Sequence, residues 1–329
     1  MGLAAVATWS VRGREPTTEV RVEVASVPLD AADPSRSAVG PLRYRGGLEL
    51  RSEDARFGGL SDLRVSPDGA RLFAVSDCGY GFTAGLSYDG AGRLSGLTGA
   101  RIVDLTGVGG RPLPVGAGDA ESLVVGDAGI EVGFEGRGKV LAYASAPAFA
   151  GPARRLPSPA GYPMCGWNKG LEAMADTGDG RRLLICEGRR GASSTVPAWV
   201  GRADDWTVRD YPLLFEGGFA GEPFRPTGAR RLPDGDVLVL ERRFPPMGAR
   251  LVRLAGASLD GEGLLEPREV TRLEAPLTTD NFEGVDARAD ASGQTLVYLL
   301  SDDNDCAKSG AFRGPRRQRT LLLLFALEG

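Results

Sequence analysis

A repeat of about 55 residues is the feature that most constrains the fold of this chain. Each of five copies starts with a Ser, Thr or Glu, passes a turn glycine and ends on an acidic residue. The copies span Ser61–Asp77, Glu121–Glu135, Glu172–Glu187, Thr227–Glu241 and Glu283–Asp302. The turn glycines stand at 69, 129, 180, 235 and 293, which is 51 to 60 residues apart. A fixed period in this range is typical of a solenoid, a propeller or an array.

The two arms of each copy have the composition of antiparallel strands. Apolar runs such as Leu72–Val75 and Val237–Leu240 have the length of buried strands. The turn glycine suits a tight hairpin because glycine adopts positive φ without a Cβ clash. Two further strand-like stretches follow a hairpin, for example Phe82–Tyr88 and Ala100–Leu105. Four antiparallel strands per repeat predict an all-β fold, a single β-propeller of four-stranded blades.

The number of copies favours five blades, although the chain length divided by the period gives six. The fifth copy lacks an outermost strand, and Leu42–Leu50 stands where it can supply one, so that the chain ends close the ring without an open sheet edge. In the six-bladed alternative, Glu19–Val27 belongs to a degenerate extra blade. A two-layer sandwich is the alternative fold. We expect residues 1–17 to be disordered or the remnant of an export signal, and 18–329 to form the propeller domain.

The composition excludes several classes of function. The 329 residues include no histidine, so a Ser-His-Asp or Cys-His mechanism and any imidazole metal site are excluded. The net charge of −4 does not indicate a general nucleic-acid binder. No apolar stretch approaches the ~20 residues that span a bilayer. We therefore expect a monomer without nucleic-acid partner or membrane span.

The geometry of a hairpin brings the acidic residues of the repeat together. The free ends of two antiparallel arms lie side by side, so both ends of each copy meet at one face of the propeller. An inner ring of Glu121, Glu172 and Glu283 is predicted there. A second ring would comprise Asp77, Glu135, Glu187, Glu241 and Asp302, and Asp119, Asp280 and Asp303 add to it. So many carboxylates repel one another strongly unless positive charge neutralises them.

Two kinds of positive charge can neutralise such a funnel. One is a divalent cation, first of all calcium, which takes six to eight oxygen ligands at ~2.3–2.6 Å. The predicted metal ligands are Glu121, Glu172, Glu283 and Asp302, with Asp77 and Glu241 next in line. The other is pairing with the arginines that lie near the acids in sequence, which would make the acids structural and leave no metal.

A cation beside arginines suits an anionic small-molecule substrate, above all a phosphate ester. The cation would polarise the phosphoryl oxygen, arginine would hold the phosphate, and a free carboxylate would act as general base. The predicted catalytic residues are Glu172, Glu283 and Lys169. The predicted substrate-binding residues are Arg56, Arg225, Arg243, Asn168 and Asn281. The alternative function is a non-catalytic propeller that binds a ligand or a protein partner at the same face.

Seven short motifs resemble the signature stretches of the phytase-like ("esterase-like activity of phytase") family, over roughly residues 42 to 328. They are Phe57–Ser61, Asp119–Glu121, Asn168–Glu172, Leu240–Arg243, Asp280–Gly284, Leu300–Asn304 and Gln318–Leu322. The resemblance implies a bacterial, often exported protein with phosphoester or ester hydrolase activity. Cys78 departs from the pattern, because a basic residue is expected there, and so does Ser122, where glycine is usual. The first departure removes a phosphate contact.

Four cysteines, at 78, 165, 186 and 306, lack the C-x-x-C spacing of a zinc ribbon. Their places at the ends of predicted hairpins permit two disulfides, 78–306 and 165–186, which we take as a hypothesis with free buried thiols as the alternative. Disulfides would fit an oxidising compartment. We therefore expect a periplasmic or secreted protein, although residues 1–8 are too short for a complete export signal; a cytoplasmic location is the alternative.

Overall fold

The computed structural model describes most of the chain, namely residues 17–114, 116–135, 139–159, 165, 170–188, 193–216, 222–305 and 318–328. These residues form sheets that are antiparallel apart from one short parallel strand, and they contain no α-helix. A short 3-10 helix lies at Gly256–Asp260. No helix among them has the length and apolar character needed to cross a membrane. The all-β prediction is confirmed.

Five sheets follow one another along the chain. Blade one consists of β5 (Leu60–Val65), β6 (Arg71–Ser76), β7 (Tyr80–Tyr88) and β8 (Leu94–Asp104), with β1 (Thr17–Glu19) added outside β8. Blade two consists of β9 (Ala120–Gly126), β10 (Gly129–Phe134), β11 (Lys139–Tyr143) and β12 (Arg154–Leu156). Blade three consists of β13 (Leu171–Asp176), β14 (Arg182–Cys186), β15 (Thr195–Arg202) and β16 (Asp205–Pro212), followed by the parallel β20 (Gly263–Leu264).

The last two sheets complete a five-bladed propeller. Blade four consists of β17 (Arg225–Arg231), β18 (Val237–Arg243), β19 (Gly248–Leu254) and β21 (Arg268–Glu274). Blade five consists of β22 (Phe282–Ala289), β23 (Thr295–Ser301), β24 (Thr320–Leu327) and β4 (Leu42–Arg51), with β2 (Glu23–Ser26) outside β4 and β3 (Ala38–Val39) paired to it.

Pairing of the two chain ends closes the ring. The C-terminal strand β24 pairs antiparallel with β4, which confirms that Leu42–Leu50 supplies the missing outer strand. The segment Glu19–Val27 forms no sixth blade. Strand β1, which ends at Glu19, pairs with β8 and extends blade one, whereas β2 pairs with β4 and extends blade five. Each strand covers the backbone groups of an outer strand that would otherwise be an unpaired edge.

The core lies between neighbouring blades. In β6, Leu72 packs in a cluster with Tyr298 of blade five, whereas Phe73 packs with Phe134 of blade two. Alternate side chains of one strand point to opposite faces of its sheet, and both faces are covered here. The second strand of a hairpin is therefore a continuous apolar run rather than an alternating one.

The side chain of Arg64 fills the axis of the propeller. It is 1 % exposed and pairs at 3.0 Å with the buried Asp62 on the same strand. Its guanidinium donates hydrogen bonds to carbonyl oxygens of three other blades, those of Met174 (3.0 Å), Ala229 (3.0 Å) and Val285 (3.0 Å). Asp62 in turn accepts a hydrogen bond from the Leu123 amide of blade two at 2.8 Å. The pair thus joins all five blades and blocks the axis below the acidic face.

Candidate functional site

A polar cavity of about 270 Å³ lies at the predicted acidic face of the propeller. The described residues that line it are Ser61, Asp77, Asp119, Glu121, Glu135, Glu172, Glu187, Arg242, Glu283, Asp302 and Asn304. Eight of these eleven side chains are carboxylic acids and one is a guanidinium. Because Arg64 fills the axis, we infer that ligands enter and leave the cavity from this face.

A β-bulge places one residue of every innermost strand at the axis. The pairing of the first two strands of each blade skips a single residue at the same point. A bulge leaves its extra residue outside the ladder and re-aims its side chain, and bulges are common beside active sites. We call the five skipped residues the inner ring: Ser61, Glu121, Glu172, Thr227 and Glu283.

The outer ring is set by the end of the second strand of each hairpin. In four blades an acid there donates its backbone N–H to the carbonyl of the segment before the innermost strand, as Asp77 does to Gly59 (2.9 Å) and Asp302 to Asn281 (2.9 Å). In blade four the equivalent residue is Arg242, which pairs with Arg225 across the same end of the hairpin. The outer ring is Asp77, Glu135, Glu187, Arg242 and Asp302.

Glu241, predicted as a metal ligand, does not reach the cavity. It is 0 % exposed, and its carboxylate accepts hydrogen bonds from the Tyr211 hydroxyl (2.6 Å) and from Arg250 (2.7 Å). Successive side chains of a strand point to opposite faces, so a shift of one residue exchanges the two. The expectation that Glu241 belongs to the second ring was one residue out of register, and Arg242 occupies that place.

Burial and mutual repulsion raise the pKa values of the cavity acids. Burial, followed by the charge of Asp119, raises the pKa of Asp77 to about 8. Burial, followed by a hydrogen bond with Asp119, raises the pKa of Glu135 to about 8. Burial is also the largest cause that raises the pKa of Glu121, Glu172, Glu283 and Asp302. The acids therefore favour a bound positive charge or a bound proton over full ionisation.

The negative charge of the cavity acids also acts on Arg242, where it stabilises the charged form of the guanidinium. Burial lowers its pKa, but the carboxylates of Glu283 and Glu187 more than offset that and raise it. Its Nη2 lies 3.3 Å from Glu283 Oε1 and 3.5 Å from Glu187 Oε1. One guanidinium therefore provides part of the neutralisation that eight acids require.

Three of the acids fit a single hard cation. Carboxylate oxygens of Asp119, Glu121 and Glu135 all lie within 4.8 Å of one another. Oxygen ligands about 2.3–2.6 Å from one calcium ion lie at such separations. Oxygen donors without nitrogen or sulfur are the set that calcium and magnesium prefer. The residues present therefore fit a divalent cation.

The structure brings together most of the acids predicted from sequence. Asp77, Glu121, Glu172, Glu283 and Asp302 all line the one cavity. The predicted Asn281 lies beside them. It is 2 % exposed, and its Nδ2 donates a hydrogen bond to Glu283 Oε1 at 2.9 Å. Asn281 therefore orients Glu283, and the roles of these residues stay predictions.

Arg56 and Arg243, both predicted to bind substrate, do not line the cavity. Arg56 forms two hydrogen bonds with Asp54, at 2.9 and 2.6 Å. Arg243 pairs with Glu216 and Glu274 and stacks on Phe224, 4.4 Å from the ring centroid.

Arg225 is the predicted basic residue that lies next to the outer ring. It donates to the backbone carbonyl of Glu187 at 3.1 Å. Lys169 and Asn168 lie outside the described residues. The sequence analysis did not place Ser61 or Asn304 among the site residues, and it counted Arg242 only among the arginines near the acids. The recurring bulge identifies Ser61, and strand pairing identifies Arg242.

A disulfide joins Cys165 to Cys186, with 5.4 Å between the Cα atoms. This pair was predicted and is confirmed. Cys186 directly precedes Glu187 of the outer ring, so the bond ties Cys165 to the rim of the cavity. Cys306 lies outside the described residues, and the 78–306 pair stays a prediction.

We expect the double variant Cys165→Ser/Cys186→Ser to lose about 2–4 kcal/mol of unfolding free energy, because the bond restricts a loop of 21 residues in the unfolded chain. Urea denaturation of the variant and the wild type without reductant measures the loss. With dithiothreitol present, the two proteins should converge. Equal midpoints without reductant would contradict the prediction.

Comparison with family models gives a match over most of the chain. A family model described as "Phytase-like: Esterase-like activity of phytase" matches residues 55–305. No curated protein sequence matches. Solved structures resemble the chain weakly. "Structure of U3-55K" has a TM-score of 0.41 at 11 % identity, covering 90 % of this chain and 99 % of that one. A luciferin-regenerating enzyme has 0.39 at 10 % identity, covering 93 % and 96 %. These likenesses carry no functional argument.

Proposed function

Since this chain belongs to the phytase-like ("esterase-like activity of phytase") family, we propose that it is a metal-dependent hydrolase, with calcium as the ion, of phosphoester or ester substrates. The observation that carries the proposal is the set of eight acids around one cavity of about 270 Å³. A site with so much negative charge and no histidine is suited to hold a cation and to move protons through carboxylates.

Asp119, Glu121 and Glu135 would hold the cation, because their oxygens lie close enough to share it. When bound, a divalent cation polarises a phosphoryl or carbonyl oxygen and lowers the pKa of water. Glu172, Glu283, Asp302 and Asp77, which the sequence predicted as metal ligands, line the same cavity and would complete the negative shell around the cation. Glu121 is the residue that was predicted as a metal ligand and that is also one of these three closely spaced acids.

Glu172 and Glu283 are the proposed catalytic residues, and their surroundings give them different roles. Glu283 accepts a hydrogen bond from Asn281 and faces Arg242, and both contacts favour its ionised form against the burial that raises its pKa. The carboxylate of Glu172 accepts a hydrogen bond from the Gly170 amide at 3.2 Å, and burial raises its pKa. We assign Glu172 as the residue that takes the proton of the attacking water, and Glu283 as the fixed negative charge.

The shape of the cavity limits what enters it. Its lining is polar, and the axis below is blocked by Arg64. A small charged group such as a phosphoryl group would enter, while the rest of the ester stays at the mouth. The disulfide at the rim supports the proposal of a periplasmic or secreted location.

We expect purified protein to hydrolyse p-nitrophenyl phosphate or p-nitrophenyl acetate in the presence of Ca²⁺ and to stop in EDTA. Glu172→Gln and Glu283→Gln should each lower kcat/KM by about 100-fold or more, the usual contribution of a proton carrier or a fixed charge. Release of nitrophenol measures both. The matched control is Glu328→Gln, which removes an exposed carboxylate paired with Arg43 far along the chain from the cavity.

Two results would contradict the proposal. If the protein binds calcium but hydrolyses no ester, the result would support the alternative function, a non-catalytic propeller that binds a ligand or partner at this face. If the protein binds no divalent cation, the result would support the alternative that the acids are structural and are paired with arginine.

A further inference from the structure

Arg242 is exceptional among the described residues that line the cavity, because it carries their one positive charge. Its position in blade four is that of Asp77, Glu135, Glu187 and Asp302 in the other blades. Four blades therefore bring a carboxylate to the outer ring and one blade brings a guanidinium. A guanidinium at this point is an anion-binding group inside a cavity that otherwise repels anions.

The hydrogen bonding of Arg242 is incomplete. Both of its contacts with Glu187 and Glu283 come from one atom, Nη2, at 3.5 and 3.3 Å. Its buried Nε has no hydrogen-bond partner among the described residues. Arg182 shows the contrast, since it forms two bonds of 2.9 Å with Glu131. A guanidinium has five N–H donors, so Arg242 retains donors for a ligand.

We propose that Arg242 binds the phosphoryl group of the substrate, and that cation binding in the cavity frees it to do so. The inference rests on the proposed function. Without a cation, Arg242 neutralises Glu187 and Glu283. With one, the carboxylates have a second positive charge, and the guanidinium can turn its planar pair of donors to phosphoryl oxygens. Binding of the cation and of the anion then help each other, by the same factor in both directions.

This coupling predicts opposite effects of removing Arg242 on the two ligands. Arg242→Gln makes the cavity more negative, so Ca²⁺ should bind as tightly as in the wild type or up to several-fold more tightly. The phosphoryl group loses its partner, so it should bind at least tenfold more weakly. A merely structural role of Arg242 would weaken both ligands together.

Isothermal titration calorimetry with Ca²⁺ and with phenylphosphonate tests the proposal, since the C–P bond resists hydrolysis. In the wild type we expect phenylphosphonate to bind at least tenfold more tightly with saturating Ca²⁺ than in EDTA. Arg242→Gln should lose that binding and keep Ca²⁺. Arg242→Lys keeps the charge without the planar donor pair, so it should lie between them and carries the test if Arg242→Gln does not fold.

The control is Arg253→Gln, which removes an arginine paired with Asp234 and Asp236 at the hairpin turn, the opposite end of blade four. It should bind both probes as the wild type does. Three results would overturn the inference but not the proposed function. They are unchanged phenylphosphonate affinity in Arg242→Gln, no phenylphosphonate binding in the Ca²⁺-loaded wild type, and a parallel loss of both ligands in Arg242→Gln. Failure of the wild type to bind Ca²⁺ overturns the proposed function and the inference with it.

Discussion

Arg64→Met is expected to lower the free energy of unfolding by about 3–5 kcal/mol, the cost of breaking a buried ion pair by removing one partner. Asp62 would lose the guanidinium that now lies 3.0 Å away, and would have to bury an unpaired charge or take up a proton. Three backbone carbonyls, on β13, β17 and β22, would also lose their donors. A buried acceptor without a partner costs about 1–3 kcal/mol. Arg64, on the axis of the propeller, is therefore the residue whose substitution we expect to cost the most stability.

Urea denaturation followed by tryptophan fluorescence measures this loss. Arg71→Met is the matched control, because Arg71 is exposed on the neighbouring strand β6 and should change stability by at most about 0.5 kcal/mol. The double variant Asp62→Asn/Arg64→Met should be less destabilised than the sum of the single variants, since it leaves no unpaired charge. A loss below about 1 kcal/mol in Arg64→Met would show that the pair does not join the blades.

Calcium is expected to reduce the loss of stability that accompanies a rise in pH. The pKa values of Asp77 and Glu135 rise from 3.8 and 4.5 to about 8 in the folded protein. A group whose folded pKa is raised binds more protons folded than unfolded, so its contribution is present below the unfolded pKa and is lost as pH rises through the folded pKa. Without a cation, stability should therefore fall as pH rises from about 4 to 8.

Ca²⁺ at 100 times its dissociation constant should restore about 2.7 kcal/mol at pH 8, because it binds the folded state alone. At pH 5, protons compete for the same carboxylates and the gain should be smaller. Thermal unfolding between pH 5 and 9, in EDTA and in Ca²⁺, measures both effects. Glu135→Gln should flatten the EDTA profile, whereas Glu328→Gln should leave it unchanged. Stability that rises with pH in EDTA would contradict the prediction.

The site shows where sequence reasoning succeeded and where it stopped. Glu121, Glu172 and Glu283 could be placed at the axis because each starts a hairpin whose ends must meet. Glu241 was misplaced because its chain neighbour Arg242 holds the equivalent position. The distance from the turn glycine to the outer-ring residue varies between copies, so counting along the chain does not identify it. Strand pairing does.

The sequence by itself determined the propeller, because the repeated hairpins allow few other ways to bury their apolar strands. It also determined that the ionisable groups of the site include no imidazole, because histidine is absent. Tertiary structure alone decided which side chains enter the cavity. A bulge adds one residue to a strand, and with a side-chain period of two that residue decides which face each neighbour takes. The bulge depends on pairing between strands, as does the position of Arg64 on the axis. Both features depend on contacts between strands and between blades, and the sequence of a single repeat does not contain that information.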